Sequence, residues 1–157
     1  MHKIVASFVV AAFMAGPAYA ETIDLKVLGQ PASTGLIQKN SEQPFFENFA
    51  KKTGLDVSVN FQPLDVTGIK DTEELRILKG GLFDIVSLRF SQVSRDEPTV
   101  LGLDLVGLNP TYADAKTSVD AYKSVVDKRL QEKFNAKLLG VWPFGPQVLF
   151  CKPEIKQ

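Results

Sequence analysis

The chain is short of the residues on which most enzymes and nucleic-acid binders rely. It holds one cysteine, Cys151, and one histidine, His2. A lone cysteine excludes an internal disulfide framework and leaves no cysteine-based metal site. His2 lies in a leader described below, so the chain that follows has no histidine, which excludes a histidine-based triad and histidine metal ligation. Carboxylate and lysine chemistry stay open. Charge of neither sign is in excess, with 18 lysines and arginines against 18 acids. The basic residues are scattered among the acids, so no basic face is expected for nucleic acid. There is no GxxxxGK[ST] or GxGxxG loop to cradle phosphates, no Gly-x-Ser-x-Gly elbow and no internal repeat. These absences point away from catalysis and nucleotide binding, and neither a cofactor nor a metal is expected.

The first 20 residues read as a secretory signal peptide. Met1-His2-Lys3 gives a positive start, residues 4–16 an apolar run, and Ala18-Tyr19-Ala20 a small-x-small cleavage site. The run is shorter than the roughly 20 residues that a membrane-spanning helix needs. Cleavage after Ala20 is expected to release a periplasmic chain starting at Glu21, of a length suited to one small domain. Losing Lys3 with the leader shifts the net charge to about −1.

Strand and helix patterns then alternate. Ile23, Leu25 and Val27 share one side of a strand over 22–29, which runs into a Ser/Thr/Gly/Asn-rich loop over 30–40. A helix capped by Ser41 is expected to carry Phe45, Phe46 and Phe49 into the core, with Gly54 ending it. Leu55, Val57, Val59 and Phe61 alternate as a second strand. Asp71 and Glu74 resemble a cap and its reciprocal partner, opening a helix that ends at Gly80-Gly81. Residues 83–88 form a third strand, expected to be buried on both faces. A long stretch over 92–112 follows, then a helix over 114–134 with Val119, Tyr122, Val126, Leu130 and Phe134 on its apolar side. Asn135 ends that helix, and further strands are expected over 138–142 and 147–152, joined by a Pro143-Phe144-Gly145-Pro146 turn. The class is α/β. Ligands in open α/β sheets bind beyond the carboxyl ends of the strands, which draws attention to Arg89, Phe90 and Ser91 at the exit of the third strand. Asp84, inside that strand, reads as structural.

This order, with Leu78-Lys79-Gly80-Gly81-Leu82-Phe83-Asp84-Ile85-Val86, the apolar Pro98 to Leu105 segment, the long helix, and Leu139-Gly140-Val141-Trp142 leading to Phe150-Cys151-Lys152-Pro153-Glu154-Ile155, resembles the first lobe of a periplasmic solute-binding protein. Within that group it is most similar to the binding subunits of tripartite ATP-independent (TRAP) transporters. Two departures stand out: Val106-Gly107 where the family usually has Pro-Phe, and Pro143-Phe144-Gly145 where an Asn-Gly turn is common. The resemblance implies a mixed, mostly parallel sheet flanked by helices, as lobe one (21–157) of a two-lobed fold. The second lobe, with the main carboxylate-clamping arginine, would lie beyond Gln157. It further implies capture of a small organic anion, without catalysis, and its delivery to membrane permease subunits.

On that reading the chain holds half a pocket. Arg89, Phe90 and Ser91 would give secondary contact, Gln30, Ser33 and Thr34 amide and hydroxyl contacts from the first loop, and Trp142 and Phe144 an apolar wall. A sensor, an ABC-type binding protein and a non-functional fragment are the alternatives left open.

Overall fold

The computed structural model describes residues 22–145. Its centre is strand β1 (Ile23–Gly29), which pairs in parallel with β2 (Val57–Pro63), Ile23 opposite Val57 and Gly29 opposite Pro63. A short third strand, β3 (Ile85–Val86), joins the other side of β1, with Val27 opposite Ile85. The order is β2-β1-β3, and among the described residues the sheet is all parallel rather than mixed. Flanked on both edges, β1 buries both Val27 and Leu28 completely. The third strand is shorter and wetter than its apolar sequence suggests. Ile85 and Val86 are half-buried and Asp84 is exposed. Asp84 nevertheless has a structural role: its carboxylate accepts the Lys26 N–H at 2.8 Å while its own N–H donates to the Lys26 carbonyl at 2.8 Å. That exchange fixes the register of β3 on β1.

Between β1 and β2 the chain makes a 3₁₀ turn (Ala32–Thr34), a π-helical turn (Gln38–Glu42), and helices α1 (Gln43–Glu47) and α2 (Phe49–Thr53). The helix therefore starts before Ser41 and breaks at Asn48, whose side-chain amide donates to the Pro44 carbonyl at 2.9 Å, competing with the regular ladder. Gly54, at φ 70°, ends α2 as expected. The three phenylalanines do not enter the core. Phe45 is 44% exposed and makes edge contacts with Phe46 and Phe49, while Phe46 stacks on Phe61 of β2 at 5.7 Å between ring centres. They form a surface cluster over the edge strand, where only one layer of chain is available to cover them.

After β2 come α3 (Leu64–Thr67), a 3₁₀ turn (Asp71–Glu73) and α4 (Glu74–Lys79). Here the cap differs from the sequence pattern: Glu73, not Glu74, reaches back, to the Lys70 N–H at 3.4 Å, and Glu74 is buried. Gly81, at φ 73°, makes the turn toward β3. The stretch expected to be irregular contains α5 (Phe90–Val93) and a 3₁₀ segment (Pro98–Leu103).

Helix α6 (Tyr112–Phe134) follows the sequence pattern closely. Thr111 and Asp114 cap its start reciprocally, each accepting the other's backbone N–H at 3.2 Å. Asn135, left-handed at φ 52°, ends it. The Asn135 N–H reaches the Gln131 carbonyl and the Ala136 N–H that of Leu130, both at 3.2 Å, the first being the bond of the αL cap motif. Val126, Leu130 and Phe134 bury the apolar side against Leu75, Val93, Val100 and Leu103. A second, smaller core unites Leu28, Leu64 and Phe83 across the sheet.

Residues 138–142 are not a strand. The Leu138 N–H, which a ladder would have used, donates instead to the Asp127 carboxylate of α6 at 2.9 Å, and Lys137 pairs with the same group. Leu138 and Val141 then pack on the α6 core. The strand expected over 147–152, and the leader over 1–20, lie outside the described residues.

Candidate functional site

The carboxyl ends of β1 and β3 lie side by side, and in this strand order the connections diverge between them, the crevice where open α/β sheets place ligands. Gln30 leaves β1 and Ser87 leaves β3. The two are tied together, since the Gln30 side-chain amide donates to the Ser87 carbonyl and the Ser87 N–H donates to the Leu28 carbonyl at 2.9 Å. Both are buried, at 4% and 6% exposure.

Over this crevice sits the π turn. It presents Gln38 and Glu42 from one side, and such turns recur at functional sites. Glu42 Oε2 accepts the Gln30 backbone N–H at 3.0 Å. Gly29 makes the approach possible. A Cβ there would stand 2.2 Å from Phe61 Cζ and 3.3 Å from Glu42 Oε2, so any side chain would force the ring and the carboxylate apart.

The crevice holds an unusual number of buried polar atoms without a hydrogen-bond partner among the described residues. They are Gln30 Oε1, both amide atoms of Gln38, Glu42 Oε1, Glu74 Oε2 and the Ser87 hydroxyl. Buried polar groups are ordinarily satisfied, and each exception costs about 1–3 kcal/mol. Burial pushes the Glu42 carboxyl up from its ordinary value, with the nearby Ser87 hydroxyl and the Gln30 N–H offsetting part of the rise. Glu74, 1% exposed, is pushed up to about 8 by burial, then by the charge of Asp71; Arg89 opposes the rise and Glu42 adds to it.

A cavity of about 170 Å³ opens here. Gln30, Gln38 and Glu42 form its buried end. Residues 35–37, Trp142 and Phe144 form its mouth, the two aromatic residues each 45% exposed. Upstream of them, Asp127 holds residues 137 and 138 against α6.

Of the residues singled out from sequence, Gln30, Trp142 and Phe144 thus share one cavity. Arg89, Phe90, Ser91, Ser33 and Thr34 do not line it. Arg89 caps the start of α5, with its guanidinium 3.9 Å from the Asp71 carboxylate. Phe90 is half-buried on the α6 core, and exposed Ser91 accepts the Ser94 hydroxyl through its carbonyl at 2.9 Å. Ser33 belongs to the turn that ends at Thr34. Its N–H and that of Ala32 donate to Asp65 at 3.0 and 2.9 Å, which holds the Asp65 carboxyl below its usual range.

Sequence reasoning missed Gln38, Glu42, Glu74 and Ser87. The first two stand four apart, and Ser87 immediately follows the apolar pair of β3, so spacing and strand exit were the available signals. Among the described residues no group of three His, Cys, Asp or Glu side chains is placed to hold a metal ion, and no helix is long and apolar enough to cross a membrane. No family model, curated protein or solved structure matches the chain.

Proposed function

We propose that this chain is the first lobe of a periplasmic solute-binding protein of the TRAP-transporter type, one that captures a small organic solute and hands it to membrane permease subunits without chemical change. The observation that supports this reading is the set of unpaired, buried polar side chains at the exits of β1 and β3, opening on a cavity with an aromatic mouth. A pocket of a few directed polar groups and apolar walls is what small-molecule recognition requires. The signal-peptide pattern supports a periplasmic location, and the α/β architecture suits a lobe that closes on its solute by hinge motion. An organic acid is the solute class implied by the family resemblance, its main arginine clamp belonging to the second lobe.

Thermal-shift screening of the full chain against organic acids and amino acids tests the proposal. A true solute raises stability with its concentration, by about 2.7 kcal/mol at one hundred times Kd. Trp142→Ala is expected to abolish that shift while leaving the solute-free melting temperature nearly unchanged, because Trp142 is half-exposed at the mouth. A broad panel without any shift, or a shift indifferent to Trp142→Ala, would refute it.

A further inference from the structure

The cavity is better supplied with acceptors than with donors. Gln30 commits its side-chain N–H to the Ser87 carbonyl, which identifies its unpaired atom as the oxygen. Glu42 uses Oε2 on the Gln30 N–H and leaves Oε1 unpaired. Gln38, 3% exposed, has both amide atoms unpaired, so it offers an oxygen whichever way the amide is turned. Three unpaired acceptors therefore line the buried end, one of them on a carboxylate, and no described residue lining the cavity is basic. An anionic group brought to this end would meet the Glu42 carboxylate, and among the side chains of that buried end only the Gln30 and Gln38 amides carry N–H donors. A primary ammonium group carries three N–H donors and a positive charge, matching the acceptors in number and the carboxylate in sign. Trp142 and Phe144 at the mouth suit an alkyl chain and attract a cation to their faces.

We infer that the solute carries a primary ammonium group, seated against Gln30, Gln38 and Glu42 with its carbon chain along Trp142 and Phe144. The inference rests on reading this cavity as the solute site, and it is independent of what the far end of the solute bears.

Trp142 is the sole tryptophan of the chain, so its fluorescence reports occupancy of the cavity mouth. The full chain is titrated with butylamine, with γ-aminobutyrate, with butyrate, and with butyltrimethylammonium, which keeps the charge but has no N–H. Butylamine and γ-aminobutyrate are expected to give saturable changes. The trimethylated analogue should bind roughly tenfold or more weakly, the scale of a lost hydrogen bond to a charged group, and Glu42→Gln should weaken butylamine similarly. Comparing the probes on the unaltered chain keeps the test decisive if Glu42→Gln does not fold. Butyrate binding as tightly as butylamine, or equal binding of the trimethylated analogue, overturns the ammonium inference while leaving the solute-binding proposal standing. So does silence from all four probes when other solutes stabilise the chain. Silence here and in the thermal screen overturns both.

Discussion

Glu74→Gln offers a direct test of the electrostatics of the crevice. Glu74 is 1% exposed, at the start of α4, with Oε2 unpaired. Burial is the main reason that its carboxyl rises from an ordinary 4.5 to about 8, with Asp71 and Glu42 adding to the rise and Arg89 opposing it. Between those two values the folded chain holds a proton that the unfolded chain has released. Stability therefore falls as pH rises through this window, being fully present below about 4.5 and lost near 8. At about 1.4 kcal/mol per pH unit, the whole gap sets a ceiling of about 5 kcal/mol, and the drop between about pH 5 and about pH 8 comes to about 3.5 kcal/mol. Glutamine has nearly the same shape and cannot ionise. The variant should have close to the wild-type stability near pH 5 and exceed it near pH 8, with a flatter profile between. Urea denaturation midpoints across that range, at constant ionic strength, measure the effect. Parallel profiles for the two proteins, or a variant that is the weaker of the two near pH 8, would refute the reasoning.

Two further substitutions probe the frame around the site. Gly29→Ala would place a methyl group 2.2 Å from the Phe61 ring; overpacking of this kind costs typically about 1–3 kcal/mol, and a denaturation midpoint unchanged from wild type would show that the ring moves freely. Phe134→Ala removes a core side chain that is 5% exposed beneath α6 and should cost about 3–5 kcal/mol, read by the same unfolding measurement; a loss below about 1 kcal/mol would mean that α6 is not fastened through this residue.

What the sequence revealed and what it concealed divide along physical lines. Helix α6 was legible because its apolar positions recur every three or four residues and its start and end carry their own chemistry, Thr111 with Asp114 and then Asn135. β1 and β2 were legible from alternation, whereas the strand-exit argument pointed to Arg89, Phe90 and Ser91, none of which lines the cavity, and Gln30 was named only through the family resemblance. Trp142 was named through the same resemblance, by its place in a motif, and the strand expected around it is absent. Nothing local announces that Asp127, eleven residues away, takes the Leu138 N–H and turns a strand-like sequence into a strap. The same limit hid Glu42 and Glu74. An acid in the first turn of a helix is ordinarily solvated and favourable, and only the folded positions of the π turn, which carries Glu42, and of α4, which carries Glu74, determine that these two are buried. Phe45, Phe46 and Phe49 failed in the opposite sense, their helical spacing being real but the layer needed to cover them absent from the described chain.

A third buried acid shows that the unpaired carboxylates of the crevice are not a general looseness of the fold. Glu97 is as buried as Glu74, at 1% exposure. Burial alone would raise its carboxyl, but Thr99, through its hydroxyl and its N–H, and then the charges of Arg129 and Lys133 outweigh that and hold it below its ordinary value. The Thr99 N–H donates to Oε1 at 3.2 Å, and the two cations on α6 lie 3.6 and 3.5 Å from Oε2. Here the chain supplies partners, and the acid joins the 3₁₀ segment to α6. At the crevice Glu42 receives one backbone N–H and has no cation within ion-pair distance among the described residues, and the nearest cation to act on Glu74, Arg89, also faces Asp71. The same fold thus pairs its buried acid where the group joins elements and leaves two unpaired where strand order opens a cavity. Glu97 Oε2 also lacks a hydrogen bond, but two cations stand within 3.6 Å of it, whereas neither crevice acid has a cation within ion-pair distance among the described residues, and that missing charge is what the proposed ammonium group would supply.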